Sequence, residues 1–487
     1  MDSQDIVQFE VEEYPVTWTV ATTELSNLCS FCMNSAQKLR EANATSVPLK
    51  RCTGCRWVFY CTPECQKADW SAEGVHKQEC SWFKKSFICG GTIPNDGVRL
   101  VARTIWYTVA RGSNKVKVSN QHGEPKRTFD DLVSHSEEII GSKHSKAEFE
   151  QVCQQLTGVT DGLKQKMTSK YLLEIYGRVK VNSFGIKNSA LRSIGVGLYV
   201  NLCRLNHSCV PNARIVFTGR KARVVYIDGT FPPKFDMPSH MTYNDVCHSY
   251  IDNMMSSDDR RDALQKDYFF RCQCAGCTDN DRDCHMTGYQ CQFCSTEDAL
   301  VPYNLRTAQY GVCSECGRNL DDISTPELIR TTTEAAVRAL SQQNILYDKA
   351  LLIAEKTLGM HEGVTSKDHI DRFRLSCKAF ECCVQLQRWQ DAAKYGAEWT
   401  RIAAVYLTDN DPWLIVYRKN YATALVNCIQ ATRSTGGRIH KNYYTDLEEV
   451  VGKLSAVAEV SGSKPWLDLN PVLERVRLLL KESAVNF

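Results

Sequence analysis

The chain has 487 residues, which is enough for several domains with buried cores. Its 59 basic and 56 acidic residues leave a formal charge of only +3, which excludes the charge pattern of a nucleic-acid coat or of a polybasic membrane-surface protein. The first residues are polar and no apolar run reaches the ~18 residues of a membrane helix, so we expect no membrane association. Without a secretory signal, the 24 cysteines predict zinc sites in a reducing compartment. We therefore expect a location in the nucleus and cytoplasm.

The N-terminal segment, residues 1–28, is predicted to form β-strands. Its sequence QFEVEEYPVTWTVATTEL combines alternating polar and apolar residues with β-branched ones. The segment contains no glycine. We therefore expect strands here without a glycine turn.

Residues 29–80 carry metal-ligand residues in pairs at short spacing. The pairs are Cys29 and Cys32, Cys52 and Cys55, Cys61 and Cys65, and His76 and Cys80. Eight ligands are the number that two closed tetrahedral zinc sites require, and this regular spacing disfavours the alternative of scattered structural cysteines. The flanking Lys67 and Lys77 leave open a weak contact with nucleic-acid phosphates, although a solvated basic face is the simpler interpretation.

Residues 81–253 are predicted to pass from helices to strands. DGVRLVARTIWYTVARG, SKAEFEQVCQQL and SKYLLEIYGRVKV repeat apolar residues at helical spacing. Alternating strands follow around the turn LNHSCVPNA, in which Pro211 stops any helix. Within this turn, Cys209 has no partner at CxxC spacing.

Residues 254–280 combine a charged helix with a cysteine triplet. Either Ser256 or Ser257 is placed to cap the helix SSDDRRDALQKDYFF. The helix is followed by Cys272, Cys274 and Cys277. Three thiols at this spacing lack one ligand of a tetrahedral zinc site, so we predict that Cys209 supplies the fourth and that a pocket is enclosed there.

The last part of the chain is predicted to contain a further metal site and then helices. Residues 281–325 carry two CxxC pairs at zinc-ribbon spacing, which predict another zinc ion. The ligands are Cys291, Cys294, Cys313 and Cys316. Residues 326–487 read as helices throughout, because SCKAFECCVQLQRWQDAAKYGAEWTRIAAVYL alternates small and aromatic residues as paired helices do.

Together these motifs resemble a known family. LNHSCVPNA, SYID and DYFFRCQCAGC look, in this order, like the core of a SET-domain lysine methyltransferase, and residues 29–80 look like a MYND-type zinc finger. The sequence therefore resembles the SET and MYND domain-containing (SMYD) family of protein-lysine methyltransferases over most of its length. The resemblance implies an α+β fold, in which a β-rich SET domain contains the finger and a helical insert and precedes an all-helical tetratricopeptide (TPR)-like domain.

The resemblance also implies a division of the chain into segments. The segments are the N-terminal part of the SET domain (1–28), the MYND-type finger (29–80), the helical insert (81–180), the SET core (181–253), the post-SET zinc region (254–280), the zinc-ribbon-like insertion (281–325) and the TPR-like domain (326–487). Nothing in the family requires the zinc-ribbon-like insertion.

Cofactors and ligand sets follow from the same resemblance. S-adenosylmethionine is the expected methyl donor, and zinc is expected at three family sites and at the ribbon. Interleaving in the finger would assign one zinc ion to Cys29, Cys32, Cys61 and Cys65, and the other to Cys52, Cys55, His76 and Cys80. The expected cofactor-binding residues are Asn182, Asn206, His207, Tyr250 and Phe270, and the expected catalytic channel residues are Tyr250 and Tyr268.

The resemblance is incomplete at two places. The family has a glycine-rich turn near its N-terminus that lines the cofactor, whereas residues 1–28 have no glycine. The family also has an acidic Gly-Glu-Glu-Leu turn before its tyrosine strand, whereas this chain has a longer loop with Pro232, Pro233 and Pro238. We still expect Tyr250 to lie on the returning strand.

Two functions remain open at this point. The first is a protein-lysine N-methyltransferase that acts on histones or other proteins and regulates chromatin or transcription. The second is a catalytically inactive scaffold that binds peptide partners through the finger and the helical domain. A DNA-binding zinc protein is disfavoured by the balanced charge, and we expect a monomer.

Overall fold

The computed structural model describes most of the chain. It covers residues 11–35, 48–71, 75–88, 92–111, 127–156, 159, 168–227, 243–294, 296, 298–304, 306–320, 324–342, 345–461 and 469–485. The predicted proline loop, with Pro232, Pro233 and Pro238, lies outside the described residues, as do residues 1–10 of the N-terminal segment. None of the described helices combines the length and apolar composition needed to cross a bilayer.

Short β-strands occur mainly in the first half of the chain. They are β1 (Glu12–Glu13), β2 (Thr17–Val20), β3 (Lys50–Arg51), β4 (Phe59–Tyr60), β5 (Ser183–Lys187), β6 (Ser193–Leu198), β7 (Asn206–His207), β8 (Ala213–Thr218), β9 (Lys221–Tyr226), β10 (Cys247–His248), β11 (Tyr289–Gln290), β12 (Leu300–Val301), β13 (Tyr303–Asn304) and β14 (Gln309–Tyr310). The predicted N-terminal strands are therefore present as β1 and β2.

Helices make up most of the remainder. They are α1 (Pro63–Trp70), α2 (His76–Ile88), α3 (Asp96–Arg111), α4 (Ser136–Gly141), α5 (Lys143–Gln155), α6 (Ser169–Asn182), α7 (Ser257–Tyr268), α8 (Ala275–Thr278), α9 (Asn280–Thr287), α10 (Ser324–Leu340), α11 (Tyr347–His361), α12 (Ile370–Gln385), α13 (Trp389–Tyr406), α14 (Pro412–Ser434), α15 (Lys441–Ser461) and α16 (Asn470–Val485). The predicted helices after the finger and in the C-terminal region are confirmed.

The strands form several small sheets. Two antiparallel sheets have three strands each, in the orders β1-β9-β8 and β2-β6-β5. Strands β7 and β10 pair in parallel, with Asn206 opposite Cys247 and His207 opposite His248. The pairs β3–β4, β11–β12 and β13–β14 are antiparallel hairpin-like ribbons. Small sheets combined with many helices make this an α+β fold, as predicted.

The chain divides into two compact units. The first contains Met1–His207, Pro211–His248 and Leu264–Phe270, and the second contains Ser208–Val210, Ser249–Ala263 and Arg271–Phe487. The core of the first unit is built on α3, whose Leu100 and Ile105 are fully buried because its apolar residues recur at helical spacing. Trp18 of β2 and Leu198 of β6 belong to the same hydrophobic cluster.

The second unit has a helical core. Consecutive helices from α11 to α14 pack against one another. Phe380 of α12 stacks on Trp399 of α13 with ring centroids 4.8 Å apart, which agrees with the predicted small and aromatic alternation. Helix α14 begins at Pro412 because the Asp411 side chain accepts the Trp413 N–H at 2.9 Å. The TPR-like character of this region stays a prediction.

Candidate functional site

The first predicted zinc cluster of the finger is assembled in the structure. The Sγ atom of Cys61 lies 3.7 Å from that of Cys32 and 3.5 Å from that of Cys65. These sulfur atoms and that of Cys29 all lie within 4.8 Å of one another. Tetrahedral zinc with Zn–S bonds of about 2.3 Å holds its sulfur atoms about 3.8 Å apart, so the cluster has the dimensions of a zinc site.

The second cluster contains the histidine. Cys52 Sγ lies 4.0 Å from Cys80 Sγ, and Cys55 Sγ lies 3.8 Å from His76 Nε2. All four residues are buried. Because Nδ1 of His76 faces a Glu79 carboxylate oxygen at 3.0 Å, Nε2 is the nitrogen that is directed toward the three thiols. The interleaved pairing expected from the resemblance is the one that the chain adopts.

A buried ionic network supports this histidine, and the sequence analysis did not predict it. Arg103 of α3 reaches Glu79 at 2.6 Å and Asp69 at 2.6 Å, and the Tyr60 hydroxyl donates to Asp69 at 2.8 Å. Burial by itself would raise the pKa of Glu79, but the guanidinium groups of Arg103 and Arg99 lower it well below its usual range. The network keeps Glu79 ionised behind the imidazole. The spacing of His76 and Glu79 on α2, three residues apart, was the available signal.

The third cluster joins the isolated cysteine to the triplet, within the second unit. Its members are Cys209, Cys272, Cys274 and Cys277, whose sulfur atoms all lie within 4.8 Å of one another. Cys209 Sγ lies 3.4 Å from Cys277 Sγ, and the Cys209 N–H donates to Cys274 Sγ at 3.3 Å. Gly276 permits this approach, because a Cβ atom there would lie 2.6 Å from Val210 Cγ2 and 3.4 Å from Cys209 Cβ.

Two arginines of α7 hold the loop that carries the triplet. Arg260 is fully buried and donates to the carbonyl oxygens of Met255 and Gly276. Arg261 donates to the Cys277 carbonyl at 2.6 Å. Helix α7 is itself capped as predicted, since Ser256 Oγ accepts the Asp259 N–H at 3.1 Å.

The fourth cluster is the predicted ribbon site. Its members are Cys291, Cys294, Cys313 and Cys316. Cys291 and Cys316 have sulfur atoms 3.7 Å apart, and those of Cys294 and Cys313 are 3.9 Å apart. All four clusters thus present thiol-rich, tetrahedrally spaced donor sets, which is the donor chemistry that Zn²⁺ prefers over hard cations such as Ca²⁺ or Mg²⁺.

The segments expected to bind the methyl donor lie in the first unit, apart from Tyr250. Asn206 is exposed on β7, and the ring of the next residue, His207, lies 5.9 Å from the Phe270 ring. Both amide hydrogens of Asn182 are used, since Nδ2 donates to the carbonyls of Val133 at 2.9 Å and Arg178 at 2.8 Å. Any contact between Asn182 and a cofactor would therefore use its side-chain oxygen.

Tyr268 belongs to the first unit and Tyr250 to the second. Tyr268 is half-buried at the end of α7, and burial raises the pKa of its hydroxyl to about 12. Tyr250 is half-exposed in a bend of the second unit, so its expected position on a strand is wrong. Strand β10 ends at His248 because Ser249 Oγ bonds to the Ile251 carbonyl at 2.8 Å and turns the chain.

Another residue that the sequence analysis missed is Glu13. Its buried carboxyl group accepts N–H groups from Asn201 and Leu202, which precede the turn of the Asn206 segment. A single glutamate in an alternating strand is normally predicted to face solvent, so the sequence offered no signal for this contact.

The chain is similar to several known proteins. The model of the MYND finger family matches residues 29–80. SET domain-containing protein 14 of Caenorhabditis elegans is 29% identical over 444 residues, which cover 90% of this chain and 93% of that protein. Human histone-lysine N-methyltransferase SMYD3 is 28% identical over 277 residues, 56% of each chain. Human N-lysine methyltransferase SMYD2 is 26% identical over 390 residues, 78% of this chain and 75% of that protein.

The paired clusters of residues 29–80, set in an α+β unit, define a MYND-finger zinc protein. The relatives narrow this class, because two of them are named as lysine methyltransferases and the third carries a SET domain in its name. In its finger and over most of its length, the chain is therefore similar to members of the SET and MYND domain-containing (SMYD) family.

Proposed function

We propose that this protein is an S-adenosylmethionine-dependent protein-lysine N-methyltransferase of the nucleus and cytoplasm. Its substrates would be histones or other lysine-bearing proteins, and histone substrates would give it a role in chromatin and transcription. The observation that supports the proposal most is the contact between the rings of His207 and Phe270. It joins the two segments, LNHSCVPNA and DYFFRCQCAGC, on which the resemblance to lysine methyltransferases depends.

The residues of the first unit fit an adenosine-containing cofactor. Asn206 offers an exposed carboxamide for hydrogen bonds, and the neighbouring rings of His207 and Phe270 offer aromatic surface for a base. The side-chain oxygen of Asn182 is a further acceptor near the end of α6. S-adenosylmethionine, when bound, supplies an electrophilic methyl group on a sulfonium ion.

The tyrosines would prepare the lysine amine. The amine must be neutral to act as a nucleophile, and aromatic surroundings that exclude water lower the pKa of a lysine by disfavouring its charged form. The Tyr268 hydroxyl is protonated at neutral pH, as it would be at the ordinary tyrosine pKa of 10, and burial raises that pKa further, to about 12. A protonated hydroxyl is able to orient the nitrogen by a hydrogen bond. We assign Tyr250 the same kind of role by family resemblance.

The decisive experiment is transfer of a tritiated methyl group by the purified full chain to histones and to a cell lysate. Tyr268→Phe and Tyr250→Phe are expected to lower incorporation by at least about tenfold, as removal of positioning hydroxyls commonly does. Tyr347→Phe is the matched control, because Tyr347 is exposed on α11 and far along the chain from the proposed residues. Incorporation equal in all four proteins would refute the proposal.

The second candidate function is a catalytically inactive scaffold that binds peptides through the finger and the helical region. The replacement of the family's acidic turn by the segment with Pro232, Pro233 and Pro238 favours it, because this segment leads toward Tyr250. Calorimetry with S-adenosylmethionine separates the two functions. Micromolar binding that is lost in Asn206→Ala supports the methyltransferase, whereas an absence of binding with partner capture by the finger supports the scaffold.

A further inference from the structure

The ribbon of the second unit has the local geometry of two zinc knuckles. The Phe293 N–H donates to Cys291 Sγ and the Glu315 N–H donates to Cys313 Sγ, each at 3.4 Å. Gly317 closes the second knuckle with a φ of 67°, and its N–H donates to the Cys313 carbonyl at 3.0 Å. N–H groups aimed at sulfur stabilise the thiolate form, which is the form that binds metal.

The ribbon has little else to hold it together. Its strands β11 to β14 have two residues each. Its hydrophobic cluster is small and contains two of the ligands themselves, as the buried members show: Tyr289, Cys291, Ala299, Val301, Tyr303, Cys313 and Leu320. A module with so small a core depends on bound metal for much of its folding free energy.

The ribbon also supports the turn between α11 and α12. The Gln290 N–H donates to the Val364 carbonyl at 2.8 Å, and the Ser366 N–H donates to the Gly288 carbonyl at 3.0 Å. The Tyr289 ring lies edge-on to His369 with centroids 6.1 Å apart. Unfolding of the ribbon would therefore remove hydrogen-bond partners from residues 362–369.

Exposure distinguishes this cluster from the others. Cys316 is solvent-exposed, whereas every ligand residue of the other three clusters is buried or half-buried. A thiolate that solvent reaches is open to chelators and oxidants, and reactivity of cysteine follows thiolate character and access.

We propose that Cys291, Cys294, Cys313 and Cys316 form a fourth, redox-labile zinc site, from which hydrogen peroxide releases zinc before it does so from the other three. Loss of this zinc ion would unfold the ribbon and thereby loosen the turn between α11 and α12, independently of any methyltransferase activity.

The chemistry balances with peroxide as the oxidant. The Cys316 thiolate attacks one peroxide oxygen, the O–O bond breaks, and a sulfenic acid and hydroxide form. The Cys291 thiolate, whose sulfur lies 3.7 Å away, attacks the oxidised sulfur, so that the S–S bond forms as the S–O bond breaks. Two electrons pass from the two sulfurs to peroxide, and the two hydroxide ions released in these steps take up two protons from the buffer to become water. Zn²⁺ leaves the remaining two ligands.

Zinc content of the purified full chain tests the site itself. We expect four zinc ions per chain for the natural sequence, three for the variant with Ser at all four ribbon positions, and four for the control Cys153→Ser, because Cys153 belongs to none of the clusters. A ribbon variant that keeps the zinc content of the natural chain overturns the proposal.

Peroxide treatment tests the lability. A zinc-sensitive dye is expected to detect the release of one equivalent of zinc in a fast phase. Differential alkylation should then show a Cys291–Cys316 disulfide, and amide hydrogen exchange should become faster in residues 362–369. Cys316→Ser is expected to lose the fast phase while Cys153→Ser keeps it. The proposal is overturned if zinc is released first from the finger, or if the fast phase occurs without oxidation of the ribbon cysteines. Both outcomes can be observed whether or not the protein methylates lysine.

Discussion

The buried carboxyl group of Glu13 accepts a 3.0 Å hydrogen bond from the backbone N–H of Asn201. It also accepts the N–H of Leu202 at 2.9 Å, at the start of the short 3₁₀ helix Leu202–Arg204. That helix leads directly into Asn206 and strand β7. A side chain from β1 thus accepts the N–H groups at the start of this 3₁₀ helix, which precedes the proposed cofactor-binding residue Asn206.

Glu13 should make the first unit less stable as pH rises. Burial raises the pKa of Glu13 to about 7, while the N–H groups of Asn201 and Leu202 lower it in part. The unfolded value is 4.5, so the folded protein binds the proton more tightly. Its contribution to stability is complete below pH 4.5 and is lost as pH rises through 7.

The measurement is the free energy of unfolding of the natural chain and of Glu13→Gln between pH 5 and 8. As pH rises, the free energy of unfolding of the natural chain should fall relative to that of Glu13→Gln by up to about 3 kcal/mol. The charged and titratable groups near this carboxyl are Arg127, Tyr199 and Cys203. A difference that is constant with pH would contradict the assignment.

The histidines of the helical unit should act in the opposite direction. Burial lowers the pKa values of His361 and His369 to about 3, below the unfolded value of 6.5. Stability from the neutral imidazoles is complete above pH 6.5 and declines as pH falls, by about 2 kcal/mol per histidine between pH 6.5 and 5. His361→Gln should flatten this decline, whereas His144→Gln, at an exposed position, should leave it unchanged.

Arg103→Met should destabilise the finger and the first unit. The substitution leaves the carboxylates of Asp69 and Glu79 buried without their main partner, which costs about 3–5 kcal/mol. Chemical unfolding and the retention of two finger zinc ions measure the effect. Arg192→Met, at an exposed position, is the control and should change stability by less than about 0.5 kcal/mol. A loss no larger than that of the control would show that the network is not required.

Cys209→Ser should remove one zinc ion from the second unit. The substitution takes away the only ligand of the third cluster that lies outside the triplet loop. Cys203→Ser is a matched control in the preceding turn, because its Sγ bonds to the Tyr199 carbonyl and a hydroxyl preserves that contact. Elemental zinc analysis of both variants decides the point, and an undiminished zinc content in Cys209→Ser would contradict the ligand assignment.

The sequence was most informative where residue type and short spacing define the chemistry. The finger pairs, the need of the triplet for Cys209 and the cap at Ser256 were all predictable, because thiols at ligand spacing and a hydroxyl before a charged helix have few other uses. Tyr250 was predicted wrongly, since the Ser249 side chain ends the strand by a local hydrogen bond that strand propensity does not reveal.

By itself, therefore, the sequence determined the four thiol-rich clusters that fit zinc, the α+β class and the family resemblance. Only the tertiary structure decided which charged residues are buried together, as in the bonds of Glu13 to Asn201 and of Arg103 to Glu79. The physical reason is that a carboxylate or guanidinium in a sequence is usually solvated, and its burial depends on partners brought from distant segments by packing. Thiol ligands differ, because a metal site needs a fixed number of them at short spacing, and both the number and the spacing are visible in the sequence.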